Sequence, residues 1–394
     1  MRLPTTSRAA VLVAHNQPLQ LQELALPDAV APGAALVAIL RATLCGTDIE
    51  IWQGAMSFPG MLPMVLGHEM VGEVIAAGEG AADALGRPLQ AGQRIGWSES
   101  VCGHCHACAI LRQPVLCPSR GYGFLQRSDT PPWATAGLSE YAYVTPQAQK
   151  LIIPDSTPST WAAMAGCAAK TVLRAFDRAG GVRPASTVAI QGAGALGIFA
   201  TAVARVAGAG KVITIGAPAE RLTMARNFGA DHTVDIGVGS EGIVAEVLDL
   251  TGGSGADLVI DLAGAPSVGQ EGVGMAAQRG VYAIVGSTGA NAKPFPLSAV
   301  MGKELTVVGS LNGDVSDYAH AIEFFTAFAD RFAWDDLFSA AVGLADATDS
   351  IQRMSRGVEI KAVIDPAIAA EHRQPPQPPQ PPQPPQPPRQ GAPA

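Results

Sequence analysis

Thr187-Val-Ala-Ile-Gln191-Gly192-Ala-Gly194-Ala195-Leu196-Gly197 is the stretch on which the fold turns. A short apolar, β-branched run ends in Gly-x-Gly-x-x-Gly, and apolar residues then recur at helical spacing from Leu196 to about Val206. The glycine pattern alone is weak. Between a strand and a helix it reads as a dinucleotide loop and not merely a structural turn. Gly192 permits the tight turn, Gly194 lets backbone approach a pyrophosphate, and Gly197 lets helix and strand pack closely. Ala195 and Leu196 open the helix, whose N-terminal amides and dipole favour a phosphate.

Outward from this loop, short apolar strands alternate with amphipathic helices. Strands are predicted at 187–191, 211–215, 257–261, 280–285 and 305–310, with helices such as 219–228 and 242–250 between them. Such alternation implies an α/β fold, a Rossmann-type doubly wound parallel sheet covered on both faces. The second strand reaches Gly216 where an NAD-binding chain commonly has an acid for the ribose. Glu220 could reach the ribose if the loop folds back, and Arg221 could instead meet a 2′-phosphate. NAD is the expected cofactor, with NADP as the alternative.

Upstream, to about Pro154, β-branched and alternating runs punctuated by Gly and Pro predict a β-rich region. From Pro158 to Arg178 the pattern is Ala-rich and helical, with Ser156 or Ser159 as cap and Gly180-Gly181 as stop. Downstream, Tyr318 to Pro366 is helical and closes in a strand-like Glu359–Ile364. Pro-Pro-Gln repeats then run from Gln374 to about Pro388, an expected extended, disordered tail over 367–394 whose sharper reading is a ligand for a proline-binding groove.

The 394 residues suffice for about two domains, and 48% apolar against 15% charged residues marks a globular chain. A net charge of −8 with scattered Lys and Arg argues against nucleic acid as a partner. No run approaches the ~18 apolar residues of a membrane span, and Met1–Ala10 lacks a signal-like sequel. A cytoplasmic location is expected, where six cysteines mean core thiols, catalysis or metal in preference to disulfides.

Four of them, Cys102, Cys105, Cys108 and Cys117, sit in one short stretch. Two-residue spacing lets neighbouring thiolates converge on one tetrahedral ion, and four sulfurs leave no open position. A structural zinc is predicted over a disulfide pair or a redox centre, with His104 and His106 as bystanders. Cys45-Gly-Thr47-Asp48 and Gly67-His68-Glu69 carry metal-ligand types, but lone histidines and cysteines are more often ordinary core residues.

Together with the loop and the cysteine lobe, these motifs resemble the zinc-containing medium-chain alcohol dehydrogenase family from about Ala9 to Pro366. The resemblance implies a chaperonin-10-like β-barrel catalytic domain (1–168 and 312–366, with a zinc lobe at about 98–120) interrupted by a Rossmann domain (169–311). It implies two zinc ions per chain and a small-molecule alcohol or carbonyl substrate, with no nucleic-acid or membrane partner. It further implies a homodimer or homotetramer. Cys45, His68 and Cys167, the last in Gly166-Cys167-Ala-Ala-Lys-Thr171, match the catalytic zinc ligands. That Cys₂His set is the one general zinc chemistry cites for alcohol dehydrogenase.

By the same resemblance Thr47 relays the substrate's proton, Asp48 and Glu69 support the ligands, and Thr171 and Lys361 lie near the cofactor. Glu50 stands where many relatives have a relay histidine, Gly216 replaces the ribose acid, and the Cys108–Cys117 gap is one residue longer than usual. Hydride transfer between a hydrophobic secondary or cyclic alcohol and NAD(P) is the expected activity. Trp52, Met56, Phe58 and Trp97 are pocket wall or core. The alternatives are a polyol or amino-acid alcohol dehydrogenase, a zinc-free quinone or enoyl reductase, and a non-catalytic zinc- and nucleotide-binding protein presenting the proline tail.

Overall fold

The computed structural model describes residues 3–286 and 292–369, so the proline-rich tail beyond Ala369 lies outside the described residues. Six parallel strands stand in the order His232–Asp235, Lys211–Gly216, Thr187–Gln191, Ala256–Asp261, Ala276–Ile284 and Thr306–Gly309. Numbered along the chain this is the 3-2-1-4-5-6 order of the Rossmann fold, with the glycine-loop strand where the order reverses.

Alternation along Thr187–Gln191 explains its burial on both faces. Val188 and Ile190 enter one core with Ile198, Phe199 and Ala202 of helix Ala195–Val206. Ala189 enters the other with Ile243, Val247 and Val273 of helices Gly239–Leu250 and Val268–Met275. Phe199 is fully buried against Phe324, Phe325 and Trp334, so truncating it to Ala should cost ~3–5 kcal/mol.

The remaining strands form antiparallel sheets. One runs Val363–Ile364, Ala35–Thr43, Glu69–Ala77, Arg94–Ser100 and Ala148–Ile152, with Tyr141–Val144 also on Ala35–Thr43. The other joins Gln20–Ala25, Thr6–Leu12 and Met64–Val65. The C-terminal return matters for the site: Val363 pairs with Thr43, and Thr43 pairs with Glu69. Among the described residues no helix is long and apolar enough to cross a membrane.

Several elements differ from expectation. His232–Asp235 is a strand although its His-Thr-Val-Asp sequence has no apolar run. Glu359–Ile364 shortens to Val363–Ile364. Neither serine caps the 158–178 helix. Pro158 is the N-cap, and the Ser159 hydroxyl instead accepts from Arg94 at 3.0 Å. That helix is also not continuous: Ala165–Ala169 forms a π turn between Ser159–Met164 and Lys170–Arg178, a distortion frequent at functional sites. Cys167 sits on it.

Candidate metal centres and cofactor cleft

Cys45 is the N-cap of helix Gly46–Gln53, directly after strand Ala35–Thr43 and Leu44. Asp48, on the first turn, reaches back to accept the Cys45 amide at 2.9 Å. The same fully buried carboxylate accepts the Gly67 amide at 3.0 Å and His68 Nδ1–H at 3.3 Å. Gly67 has φ +88°, and an added Cβ would meet the Leu138 amide nitrogen at 3.1 Å. A glycine is therefore needed to turn His68 inward. With Nδ1 donating to Asp48, Nε2 keeps its lone pair for a metal.

The ligand atoms of Cys45, His68, Glu69 and Cys167 all lie within 4.8 Å of one another. Glu69 is already occupied: Lys361 Nζ stands 2.8–2.9 Å from its two oxygens, and the Thr43 hydroxyl donates at 2.5 Å. Two thiols and one imidazole remain, a donor set suited to a borderline-soft cation. Hydrogen bonding from Cys167 holds the Cys45 thiol well below its usual range, and the same contact pushes Cys167 well above it. Burial opposes charge on His68, but Asp48 outweighs it and the ring's pKa is raised. Burial likewise pushes Glu69 up to about 7, against the pull of Lys361.

In the second cluster the Cys117 sulfur lies 3.6 Å from that of Cys102 and 3.9 Å from that of Cys105. A tetrahedron with ~2.3 Å zinc–sulfur bonds has edges of about 3.8 Å, so the lobe is spaced for zinc. Disulfides need about 2.05 Å, and all six cysteines are free. Amides of His104 and then Cys105 pull the Cys102 thiol down to about 6. His104 is exposed and bonds the Cys102 carbonyl at 2.7 Å, away from the sulfurs.

At the glycine loop, Gly192 has φ +114°, and Gly194 caps helix Ala195–Val206 with open space where its Cβ would be. A Cβ on Gly197 would fall 1.7 Å from the Gly192 carbonyl oxygen. One on Gly216 would lie 2.4 Å from the Ala193 Cβ, so an acid cannot be added there without moving the loop. Glu220 is exposed, whereas Arg221 turns to the Gly357 and Glu359 carbonyls at 3.1 and 2.9 Å. Thr171 donates to the Cys167 carbonyl at 2.7 Å. Lys361, expected near the cofactor, is buried and paired with Glu69.

Thr47 and Glu50 are half-buried on the Cys45 helix, and burial, then the Cys45 thiolate, raises the Glu50 pKa. Of the aromatic candidates, Trp97 lines a cavity with His68 and Cys167, Trp52 is core, and Phe58 is exposed. The same cavity contains residues that sequence patterns did not single out: Glu99, Lys170 and Asn312. Charged residues are ordinarily on the surface, so nothing short of the fold marks them.

Residues 31–155 match the alcohol dehydrogenase GroES-like domain, and residues 195–327 match the zinc-binding dehydrogenase domain. The chain is 32% identical over 366 residues to 5-exo-hydroxycamphor dehydrogenase of Pseudomonas putida, covering 91% of this chain and 98% of that protein. It superposes on an alcohol dehydrogenase of Thermotoga maritima with a TM-score of 0.84 at 28% identity, covering 91% of this chain and 99% of the other. A zinc-binding dehydrogenase of Sinorhizobium meliloti, solved bound to NADP, gives 0.78 at 26% identity, covering 92% and 100%. With both domains matched in order and a relative of this identity spanned almost end to end, the chain belongs to the zinc-dependent medium-chain alcohol dehydrogenase family.

Proposed function

We propose that Cys45, His68 and Cys167 hold the catalytic zinc of this alcohol dehydrogenase and that its substrate is an alcohol with an apolar body, secondary or cyclic. The observation that carries the assignment is the convergence of these three ligand atoms, from separate parts of the chain, to within 4.8 Å of one another, with His68 and Cys167 lining a cavity. Zinc, when bound, supplies a Lewis acid for the substrate hydroxyl, and the nicotinamide supplies the hydride acceptor.

The chain's own residues do the rest. Asp48 fixes the His68 ring so that Nε2 faces the cavity, and Lys361 keeps the Glu69 carboxylate engaged behind it. Thr47, two residues beyond Cys45, passes the substrate's proton on. Glu50, one turn later on the same helix, receives it, and its raised pKa brings proton uptake nearer neutrality. The loop at Gly192, Gly194, Ala195, Leu196 and Gly197 receives the pyrophosphate, and Thr171 borders the nicotinamide end. Gly216, Glu220 and Arg221 border the adenosine. Trp97, Phe124 and Met70 give the cavity an apolar wall, which favours such alcohols over polyols. The hydroxycamphor dehydrogenase relative supports a bulky alcohol.

Cys102, Cys105, Cys108 and Cys117 hold the structural zinc. The sheets support domain limits at 168/169 and 311/312, since the six-stranded parallel sheet falls within 187–309. A homodimer or homotetramer is supported by the edge strand Thr306–Gly309, where Val307 is exposed and Leu297, Met301 and Leu311 stand out nearby. Six free thiols fit a reducing cytoplasm.

Metal analysis and a substrate panel test the reading together. Two zinc ions per chain are expected, with NADH or NADPH formed fastest from secondary or cyclic alcohols. One zinc per chain, or activity surviving Cys45→Ala, would overturn the ligand assignment. Two zinc ions with no turnover of any alcohol would favour a binding protein.

A further inference from the structure

Beside the cysteine–histidine cluster lies a charged pair that dehydrogenation itself does not use. Lys170, three residues after Cys167, is 1% exposed, and Glu99, at the end of strand Arg94–Ser100, is 4% exposed. Lys170 Nζ stands 3.1 Å from Glu99 Oε2 and donates to the Ser98 hydroxyl at 2.5 Å. The side-chain amide of Asn312 donates to Glu99 Oε1 at 3.4 Å. All four residues line the cavity that His68 and Cys167 also line.

Stability does not account for the pair. Desolvating two charges costs several kcal/mol per ion, and apolar residues of similar volume are often as good or better at such positions. Here the pair lies in the lining of a cavity that also has an apolar side formed by Trp97, Phe124 and Met70. Its geometry is that of a held donor. An ammonium has three N–H groups, and among the described residues two have acceptors, Ser98 and Glu99. The third is left for an oxygen in the cavity.

We propose that Lys170 is a specificity residue, positioned by Glu99 and Ser98, that donates to a second oxygen on the substrate. The pocket then selects alcohols that carry a carbonyl or hydroxyl oxygen away from the reacting carbinol. The proposal rests on the alcohol dehydrogenase reading of the same site. It adds a polar requirement to the apolar side formed by Trp97, Phe124 and Met70.

Matched substrates isolate the effect. With the full-length, zinc-loaded chain, kcat/KM is measured for cyclohexanol, cyclohexane-1,4-diol and 4-hydroxycyclohexanone. A hydrogen bond from a charged donor predicts a preference of about 10- to 100-fold for the two oxygen-bearing compounds. Lys170→Met alone would strand Glu99 without its cation, so Lys170→Met/Glu99→Gln is the principal variant. In it the preference collapses to within about twofold, and Lys170→Arg restores part of it. Without cofactor, quenching of tryptophan fluorescence gives the Kd of cyclohexane-1,4-dione and of cyclohexanone. The dione binds more tightly to the wild type, and the two bind alike to the double variant.

Equal use of the matched substrates by the wild type overturns the proposal, as does a preference that survives the double variant. A selective rise in the NADH Kd with the preference intact assigns Lys170 to the cofactor instead and also overturns it. If none of the three alcohols turns over with both zinc ions bound, the alcohol reading falls, while the Kd ratio of the two ketones still decides whether Lys170 recognises the second oxygen.

Discussion

Replacing Asp48 by Asn should loosen one zinc site and leave the other untouched. Asp48 is fully buried and accepts three donors, the amides of Cys45 and Gly67 at 2.9 and 3.0 Å and His68 Nδ1–H at 3.3 Å. An amide is one oxygen short of that task. If its oxygen keeps Gly67 and His68, its NH₂ must face the Cys45 amide. One hydrogen bond to a charged group, worth about 1.5–3 kcal/mol, becomes a donor–donor contact. If the amide flips, His68 loses its carboxylate and the tautomer that leaves Nε2 free is no longer imposed. Loss of such an outer partner costs about 10- to 100-fold in metal affinity, or about 1.4–2.7 kcal/mol. Competition with a chromophoric chelator, resolving two zinc ions per chain, reads this directly. One affinity should fall at least about tenfold while the four-cysteine ion is unchanged. If both fall together, or the sensitive site stays within about threefold, Asp48 does not orient His68 for metal.

Three other perturbations follow from the same geometry. Lys361→Met strands Glu69 in the core, and breaking a buried pair should cost about 3–5 kcal/mol in urea unfolding, most of it recovered by Lys361→Met/Glu69→Gln. A loss below about 1 kcal/mol would contradict the pairing. Burial pulls the Lys150 ammonium down to about 8, so the folded state sheds its proton first and stability climbs between about pH 8 and the unfolded value of 10.5. Lys150→Met should therefore stabilise by at most about 3 kcal/mol below pH 8, less whatever its bonds to the Pro146 and Ala148 carbonyls contribute, with no gain at pH 10.5. A difference that does not change with pH would refute this. Gly216→Asp alone should lower the melting temperature, because its Cβ meets the Ala193 Cβ at 2.4 Å and the Ala193 amide nitrogen at 2.8 Å. Ala193→Gly/Gly216→Asp removes only the first contact and should recover part of the loss, while the ratio of NADH to NADPH Kd shifts towards NADH.

The parts of the molecule legible in the sequence are those in which neighbours in the chain are neighbours in space. The glycine loop, its strand and its helix are one local unit, and the four-cysteine lobe spans sixteen positions from Cys102 to Cys117. The strand His232–Asp235 was illegible because an edge strand needs little apolar sequence. Cys45, His68 and Cys167 offer the right atoms, but spacing along the chain carries no distance between them, and the family resemblance supplied the grouping. Lys170 and Glu99 carried no signal at all, since each alone reads as a solvated residue. Lys361 is similar. Only the register of Val363 on Thr43 and Thr43 on Glu69 puts it behind the ligands.

Charge explains why the two cysteine clusters differ in what they can do. In the lobe, four sulfurs can complete a tetrahedron by themselves, and the site is closed to chemistry. In the other cluster the acidic groups are Cys45, Cys167, Asp48 and Glu69, and the cations at hand are Lys361, His68 and, acting on Cys167 while paired with Glu99, Lys170. Lys361 is consumed by Glu69 and His68 Nδ1 by Asp48, which leaves two thiols facing each other with one thiolate favoured and the other suppressed. A dication held there would resolve that opposition by accepting both as thiolates, with His68 Nε2 as a neutral third ligand. With Asp48 and Glu69 already engaged, neither carboxylate would compete for a further position on such an ion, and His68 and Cys167 border the cavity lined by Trp97, Phe124 and Lys170. The ion pairs that look like an expensive way to stabilise a core would be what keeps that position free.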